Sequence, residues 1–389
     1  MSEHAILSPS GAERWLTCTP SARLEQQFPD KAGAAATEGT LAHSLGELLL
    51  RMEFSMIGFD KFSIALAELK AHPQFEDAMM EHAEDYAGFV MERFNQAKAH
   101  TKDAVIFLEQ KLNLTDYIEQ GFGTGDTVIV ADGILDIIDL KYGKGVLVSA
   151  EENKQMKLYA LGALREMDYI YDIHTVRMTI YQPRLENYST FKMSVADLKQ
   201  WGEEFVKPRA ALAFEGEGEF APGNCCRFCR AKAVCKANAA FNLELMEHDF
   251  KSADLLQDHE ITKVLDRADM FTSWLAAVQE HALNEAVNSD KVWPGYKLVE
   301  GRSNRKYSDE SLVATKLLKA GFKEDAIYNK KLVGITAMEK VVGKKDFNIH
   351  LEGLIIKPPG SPTLVPESDK RPAYHSSEAA AKDFALVTE

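Results

Sequence analysis

The side chains best suited to chemistry lie within residues 123–145, whose sequence is GTGDTVIVADGILDIIDLKYGKG. Asp132 and Gly133 separate two apolar runs that favour β-strands, and this dipeptide is typical of a two-residue type I′ hairpin turn. Such a turn sets the pairing of the two strands, and that pairing places Asp126 directly opposite Asp139. The sequence therefore predicts two carboxylates that face each other across a β-hairpin.

These two carboxylates share their face with a lysine. Lys141 follows Asp139 by two residues, and side chains alternate along a strand, so both point to the same side. Opposed carboxylates repel each other, and packing does not require them. The rest of the predicted face is apolar and consists of Val128, Val130, Leu135 and Ile137.

A divalent cation would remove the repulsion between the carboxylates. Oxygen ligands of this kind suit Mg²⁺ or Mn²⁺, which polarises a phosphodiester and lowers the pKa of a bound water. Lys141 could orient or deprotonate that water, or stabilise charge that develops on the phosphate. The alternative is a solvated strand end, where Asp126 and Lys141 form an exposed ion pair worth less than ~1 kcal/mol.

The surrounding sequence predicts the elements that would position these side chains. Leucines at helical spacing predict a helix over residues 37–52, and Pro73 precedes a second helical stretch that reaches Ala99. Residues 104–149, including the run GVLVSA, predict strands separated by Gly and Asp-Gly turns. Further helices and a strand follow, and an apolar stripe predicts a helix over residues 260–288. This order indicates an α/β fold.

Clustered cysteines form a second candidate site. Cys226, Cys229 and Cys235 have the spacing C-x2-C-x5-C, and Cys18 lies near the start of the chain. Four thiolates can bind zinc or an iron–sulfur cluster, and their spacing alone does not choose between them. Cys225 adjoins Cys226, so either could be the ligand, and burial as small core side chains is the alternative for all of them.

The composition limits the class of protein. The chain has 389 residues, 46% hydrophobic and 27% charged, with a net charge of −14. The longest apolar runs are far shorter than the ~20 residues that span a bilayer, and the first residues lack an apolar leader, so we expect no membrane association and a cytoplasmic location. The negative net charge argues against binding nucleic acid by bulk charge, although a local basic groove remains compatible with it.

Taken in chain order, the motifs resemble the PD-(D/E)XK nuclease superfamily and, within it, the RecB-like exonuclease branch. The hairpin resembles the D…D-x-K core, GTLAHSLGE resembles the motif I helix with its histidine, and a later helix has the Q-x-x-x-Y pattern. The residues that carry the resemblance are His43, Asp126, Asp139, Leu140, Lys141, Gln155 and Tyr159.

The resemblance implies roles for these residues. Lys141 would serve the nucleophilic water, while Gln155 and Tyr159 would position the DNA or the lysine. Glu38 and Glu47 flank the motif I histidine, and either could replace or supplement it. Taken singly, the histidine is also compatible with an ordinary hydrogen-bonded residue, and the Gln–Tyr pair with an ordinary helix face. The groups implied to hold Mg²⁺ or Mn²⁺ are His43, Asp126, Asp139 and the carbonyl of Leu140.

The cysteines resemble a further feature of this branch. A lone N-terminal cysteine followed by C-x2-C-x5-C is similar to the iron–sulfur staple of AddB-type and CRISPR-associated RecB-like nucleases. The resemblance implies a [4Fe–4S] cluster, with structural Zn²⁺ as the alternative, and implies the ligands Cys18, Cys226, Cys229 and Cys235. Basic side chains between the cysteines are candidates for a phosphate-binding rim, or for solvated loop charge: Arg227, Arg230, Lys232 and Lys236.

We predict three parts in the chain, of which the nuclease resemblance covers the first. Residues 1–245 would form a restriction-endonuclease-like core, a mixed sheet flanked by helices and closed by the iron–sulfur staple. Residues 246–290 would be a connecting amphipathic helix, and residues 291–389 a small α+β module. That module would guide DNA, bind a partner or stabilise the nuclease domain, and its candidate DNA-binding residues are Arg302, Arg305 and Lys306.

The chain as a whole resembles uncharacterised phage and prophage proteins of this superfamily. We therefore expect a metal-dependent DNA nuclease, an exonuclease that acts from single-stranded or resected ends in a bacterial or phage-infected cell. A phage recombination or annealing protein is an expected partner. The alternatives are a structure-selective endonuclease and a catalytically silent DNA-binding scaffold.

Overall fold

The computed structural model describes residues 5–29, 34–248, 258–297 and 310–319, with isolated positions between 338 and 350. Contacts divide the chain into two units, Met1–Lys291 and Val292–Glu389. In the second unit, residues 310–319 form a helix. The predicted DNA-binding residues Arg302, Arg305 and Lys306 lie outside the described residues. None of the described helices combines the length and apolar character that a bilayer span requires.

A five-stranded mixed sheet forms the centre of the first unit. The strands lie in chain order across the sheet, and only the third and fourth are parallel. Helices flank this sheet, which confirms the predicted mixed α/β class. The strands are β1 (Val105–Asn113), β2 (Phe122–Ala131), β3 (Gly133–Leu140), β4 (Ile173–Gln182) and β5 (Asn187–Ser194). The sequence patterns did not predict β5.

The described helices precede, interrupt and follow the strands. Three of them match the predicted helical segments closely: those that begin at Ala34, Asp77 and Asp258. The helices are α1 (Ala12–Trp15), α2 (Ser21–Leu24), α3 (Ala34–Glu53), α4 (Phe59–Lys70), α5 (Asp77–His100), α6 (Lys154–Met167), α7 (Val195–Trp201), α8 (Lys207–Glu215), α9 (Lys236–His248), α10 (Asp258–Asn288) and α11 (Glu310–Lys319).

The β2–β3 hairpin has the predicted register. Its pairs run from Ala131 with Ile134 to Thr127 with Ile138. The turn differs from the predicted type I′, because Gly133 has a φ of +83° but Asp132 is not among the described residues with positive φ. Tertiary contacts hold it instead, since the Gly133 N–H donates to the Asp172 carbonyl at 2.7 Å.

The two faces of the sheet pack against different helices. The α6 face buries the predicted apolar set of Val128, Val130, Leu135 and Ile137. The opposite face packs Ile129 and Ile138 together with Tyr86 and Val90 of α5. Helix α3 contacts α5 and β1 on that second side, so α3 and α6 approach the hairpin from opposite faces.

One predicted strand is wrong. The segment that begins at Gly145 is irregular, and side chains from β4 and β5 take over the hydrogen bonds of a neighbouring strand. Gln182 donates to the Val146 carbonyl at 3.0 Å and accepts from the Val148 N–H at 2.8 Å. Asn187 donates to the Val148 carbonyl at 2.9 Å. The apolar run is therefore held by amide side chains and does not form a sheet ladder.

Candidate metal centre

Helix α3 brings His43 to Asp126 on β2. The His43 Nδ1 lies 3.2 Å from the Asp126 Oδ1, and both side chains are largely buried. The other carboxylate oxygen, Oδ2, accepts the Leu140 N–H at 2.7 Å. The paired register of β2 and β3 ends at Thr127 with Ile138, so Asp126 lies just beyond it. The Asp126 side chain therefore bridges α3 and the end of β3.

Glu109 of β1 joins this pair, although the sequence patterns did not single it out. Ligand atoms of His43, Glu109 and Asp126 all lie within 4.8 Å of one another. Glu109 has a φ of +48°, which is uncommon outside glycine and marks an irregular point in β1. The only sequence signal for it is an acidic residue directly after the apolar run of residues 105–108.

The alternation of β2 breaks at Asp126. A Cβ atom on Gly123 would meet Tyr159 of α6, and one on Gly125 would meet Val128, so these positions face α6. Val128 also faces α6, but it lies three positions after Gly125, whereas strict alternation would put positions an odd number apart on opposite faces. The ideal strand predicted Asp126 on that face, whereas the structure turns it towards α3.

The electrostatics of the centre favour a cation. Burial alone would lower the pKa of His43, but the Asp126 carboxylate outweighs it and raises that pKa to about 9. Burial, together with the charges of Asp126 and Glu47, raises the pKa of Glu109 to about 7. Both groups therefore hold a proton more tightly than usual because negative charge accumulates between them. An imidazole and two carboxylates fit Mg²⁺ or Mn²⁺, which would replace those protons.

Asp139 belongs to a second network on the α6 side. Its Oδ2 lies 2.9 Å from the Lys141 Nζ, and its Oδ1 accepts from the Gln155 Nε2 at 3.2 Å. Lys141 also donates to the Gln155 Oε1 at 3.0 Å, and Gln155 donates to the Tyr159 hydroxyl at 2.9 Å. The structure thus brings together the four residues from the D-x-K and Q-x-x-x-Y motifs.

The charge of Asp126 in the metal centre affects the pKa values of Asp139 and Lys141 in the second network. Burial raises the pKa of Asp139, Lys141 lowers it, and Asp126 raises it further. For Lys141, burial alone would lower the pKa, but Asp139 and Asp126 outweigh burial and raise it. Lys141 is therefore cationic at neutral pH and provides a fixed positive charge beside the carboxylates.

The two flanking glutamates of α3 have different surroundings. Glu47 lines the same small cavity as His43, Glu109 and Asp126, and its Oε1 accepts from the Arg51 Nε at 2.7 Å. Glu38 pairs instead with Arg184, with the Arg184 Nη1 at 2.8 Å from its Oε1. Glu47 is therefore the flanking carboxylate that adjoins the candidate metal centre.

All five cysteines line one small cavity: Cys18, Cys225, Cys226, Cys229 and Cys235. Polar contacts hold its two chain segments together. The Thr19 hydroxyl donates to the Glu217 carbonyl at 2.6 Å, and the Arg230 N–H donates to the Glu25 carboxylate at 2.7 Å. Within the part of the chain that the structure describes, His43, Glu109 and Asp126 are the one group of three or more candidate ligands within 4.8 Å of one another. The thiols are more widely spaced.

The adjacent thiols Cys225 and Cys226 have opposite properties. The Cys225 Sγ donates to the Ala221 carbonyl at 3.2 Å, and this side chain is buried. The neighbouring Cys225 side chain lowers the pKa of Cys226 to about 6, and the Gly223 backbone and Lys232 also lower it. Since thiolates are the form that binds metals, Cys226 is better suited than Cys225 to be the ligand.

The predicted basic rim is partly engaged within the protein. Lys232 donates to the Arg227 carbonyl at 2.9 Å and to the Ser273 hydroxyl of α10 at 3.0 Å. The Arg227 guanidinium lies over the exposed ring of Phe228. Lys232 therefore connects the cysteine segment to α10, and this contact competes with the predicted binding of phosphate.

The chain matches the family model described as "Protein of unknown function (DUF2800)" over residues 4–372, and it belongs to that family. Among solved structures it is similar to one entitled "Crystal structure of SSO0001", with 12% sequence identity. That similarity covers 58% of this chain and 96% of the other, with a TM-score of 0.24. At this TM-score, the similarity establishes neither a shared fold nor a shared function.

Proposed function

We propose that this member of the DUF2800 family is a metal-dependent DNA nuclease that hydrolyses phosphodiester bonds from DNA ends. The observation that carries the proposal is the convergence of two groups at the end of the β2–β3 hairpin. One consists of His43, Glu109 and Asp126 within ligand distance of one another. The other holds a cationic lysine against a buried carboxylate, in the pair Lys141 and Asp139.

The donor set defines which ion the centre would hold. His43, Glu109 and Asp126 would bind Mg²⁺ or Mn²⁺, and the motif resemblance adds Asp139 and the Leu140 carbonyl as ligands. A mixed nitrogen and oxygen set favours Mn²⁺ over Mg²⁺ in affinity. When bound, such an ion polarises a phosphodiester and lowers the pKa of a bound water.

The protein's own side chains have separate roles in this proposal. Lys141, cationic in the structure, stabilises negative charge on the phosphate and does not act as the base that deprotonates water. Gln155 contacts both Lys141 and Asp139 and holds them in a fixed relation. Tyr159 accepts a hydrogen bond from Gln155 and so orients its amide.

A PD-(D/E)XK core of the RecB-like branch is part of the proposal, and the order of the motifs supports it. A [4Fe–4S] cluster held by Cys18, Cys226, Cys229 and Cys235 is also part of the proposal. The five cysteines line one cavity, which supports a shared site for a cluster or for structural Zn²⁺, and their placement does not choose between the two.

The proposal is tested with linear and covalently closed circular DNA incubated with Mn²⁺. We expect loss of linear DNA only, and loss of that activity in Asp126→Ala. The matched control is Asp172→Ala, which removes an exposed aspartate that pairs with His174 at the opposite end of β3. Equal activity in Asp126→Ala and Asp172→Ala would refute the proposed centre.

The same assay separates the alternatives. Nicking of closed circles would indicate a structure-selective endonuclease, and binding without cleavage would indicate a DNA-binding scaffold. Single-stranded and resected ends are the proposed substrates, and an annealing protein is a proposed partner. End-labelled single-stranded and duplex oligonucleotides would report the preferred end directly.

A further inference from the structure

Tyr86 of α5 is a buried residue that the proposed reaction does not use. Its side chain is 2% exposed and lines the same small cavity as His43 and Asp126. Its hydroxyl lies 2.9 Å from the Thr127 Oγ1, and Thr127 directly follows Asp126 in β2. The hydroxyl therefore holds the strand at the point where the alternation of β2 breaks.

The ring of Tyr86 also sets the distance between α3 and the sheet. A Cβ atom at Gly46 of α3 would lie 3.0 Å from the Tyr86 ring and 3.6 Å from the Leu140 side chain. Contacts at 3.0 Å are tighter than ordinary packing, so the glycine allows the ring to lie directly against the helix. His43 lies three residues before Gly46, on the next turn of the same helix.

We infer that Tyr86 is a positioning residue for the candidate metal centre. Its hydroxyl fixes Thr127 and thereby the direction of Asp126, and its ring fixes α3 and thereby His43. The two ligands come from different elements, and Tyr86 touches both elements at once. This inference rests on the proposed function, because it assumes that His43 and Asp126 bind a cation.

A packing role alone would not need the hydroxyl. The Tyr86 ring belongs to an apolar cluster that includes Val90 and Ile129, and phenylalanine has the same ring. A buried hydroxyl costs free energy unless it is hydrogen-bonded, and Thr127 supplies that bond from a position with 0% exposure. The polar pair therefore serves the geometry of the strand next to Asp126.

The test is a calorimetric titration of the purified full-length chain with Mn²⁺. For Tyr86→Phe we expect Mn²⁺ affinity to fall about 10–100-fold, as for other groups that orient metal ligands. The matched control is Tyr171→Phe, which removes another buried tyrosine hydroxyl, bonded to the Asp103 carbonyl at 2.8 Å. We expect the control to retain the wild-type affinity.

A second pair of variants tests the ring contact. Gly46→Ala places a methyl group against Tyr86, and we expect weaker Mn²⁺ binding because α3 must move away with His43. Gly39→Ala is the control in the same helix, since a Cβ atom there meets nothing described within 4 Å. Thermal unfolding of all variants distinguishes lost positioning from lost folding.

The outcomes separate this inference from the proposed function. If the wild-type chain binds no Mn²⁺, the metal centre itself is refuted, and the role of Tyr86 falls with it. If the wild type binds Mn²⁺ and both Tyr86→Phe and Gly46→Ala bind it equally well, only the positioning role is refuted. Weaker binding in these two variants, with unchanged controls, supports it.

Discussion

The candidate metal centre and the cysteine cavity both join distant parts of the chain, but they do so by different means. The metal centre takes its side chains from helices and strands of the sheet, and hydrogen bonds fix them without any ion. The cysteine cavity is lined mainly by loops and very short helices near Cys18 and Cys226, which a few polar contacts hold together. Regular elements can pre-form a site, whereas irregular segments gain more from the group that they bind.

Asp139→Asn tests the first half of this comparison and should have the largest effect. We expect DNA cleavage to fall by at least about 10³-fold, because the variant removes the charge that holds Lys141. Asparagine keeps the shape of the side chain and an Oδ1 that can accept from Gln155, so the fold should be retained. Cleavage of end-labelled DNA and thermal unfolding measure the two effects. A large loss of stability would mean that the centre is not pre-formed.

Cys226→Ser tests the second half. A cluster held by Cys18 and Cys226 would connect segments about 200 residues apart, and losing such a closure costs about 5 kcal/mol of unfolding free energy by chain entropy. Iron and sulfide content, together with denaturant unfolding, measure the effect. Cys225→Ser is the matched control and should keep its iron. A colourless protein with stoichiometric zinc would overturn the cluster assignment, and iron loss in Cys225→Ser alone would reverse the choice of ligand.

Glu109→Gln sharpens the comparison within the metal centre. The change keeps the size of the side chain but removes one anionic ligand, so we expect Mn²⁺ affinity to fall at least about 10-fold. Glu119→Gln, at an exposed position, is the control. Calorimetric titration with Mn²⁺ measures the affinity of both variants. Unchanged affinity in Glu109→Gln would show that the cation is held by Asp126 and Asp139 without Glu109.

The pH dependence of metal-free stability should show the smallest effect. The folded pKa values are about 7 for Glu109 and about 9 for His43, above their ordinary values of 4.5 and 6.5. The native chain therefore binds more protons than the unfolded chain between those limits, and stability falls as pH rises. The contribution of Glu109 disappears between about pH 4.5 and 7, and that of His43 between about 6.5 and 9.

Denaturant unfolding across this pH range, with and without Mn²⁺, measures the trend. Saturating Mn²⁺ should weaken it, because the ion replaces the protons on both groups. His43→Asn should remove the loss of stability between about pH 6.5 and 9 and keep the loss between about pH 4.5 and 7. A metal-free stability that rises between pH 7 and 9 would contradict the raised pKa of His43.

Local patterns predicted much of the candidate site. The hairpin register, the helix that carries His43, and the shared face of Lys141 and Asp139 follow from turn chemistry and from strand and helix periodicity. These signals depend on residues close in sequence, so a single chain reveals them. The irregular segment after Tyr142 was mistaken for a strand because apolar β-branched residues favour strands wherever they occur.

Other features depend on partners far along the chain. Glu109 reaches the centre only because β1 pairs with β2 and leaves regular geometry at that residue. Asp126 turns towards α3, where an ideal strand would point it towards α6. The choice between Glu38 and Glu47 depends on which of them lines the cavity of His43 and Asp126, and only the packed structure places Glu47 there.

The sequence by itself determined the hairpin, its register and the residue types available for chemistry, because these follow from short-range sterics and alternation. Only the tertiary structure decided that His43, Glu109 and Asp126 converge while Asp139 binds Lys141 and Gln155. The physical reason is that a strand breaks its alternation when contacts from packed helices compensate the lost ladder bonds. Such contacts join residues that are far apart in the chain, so no local pattern contains them.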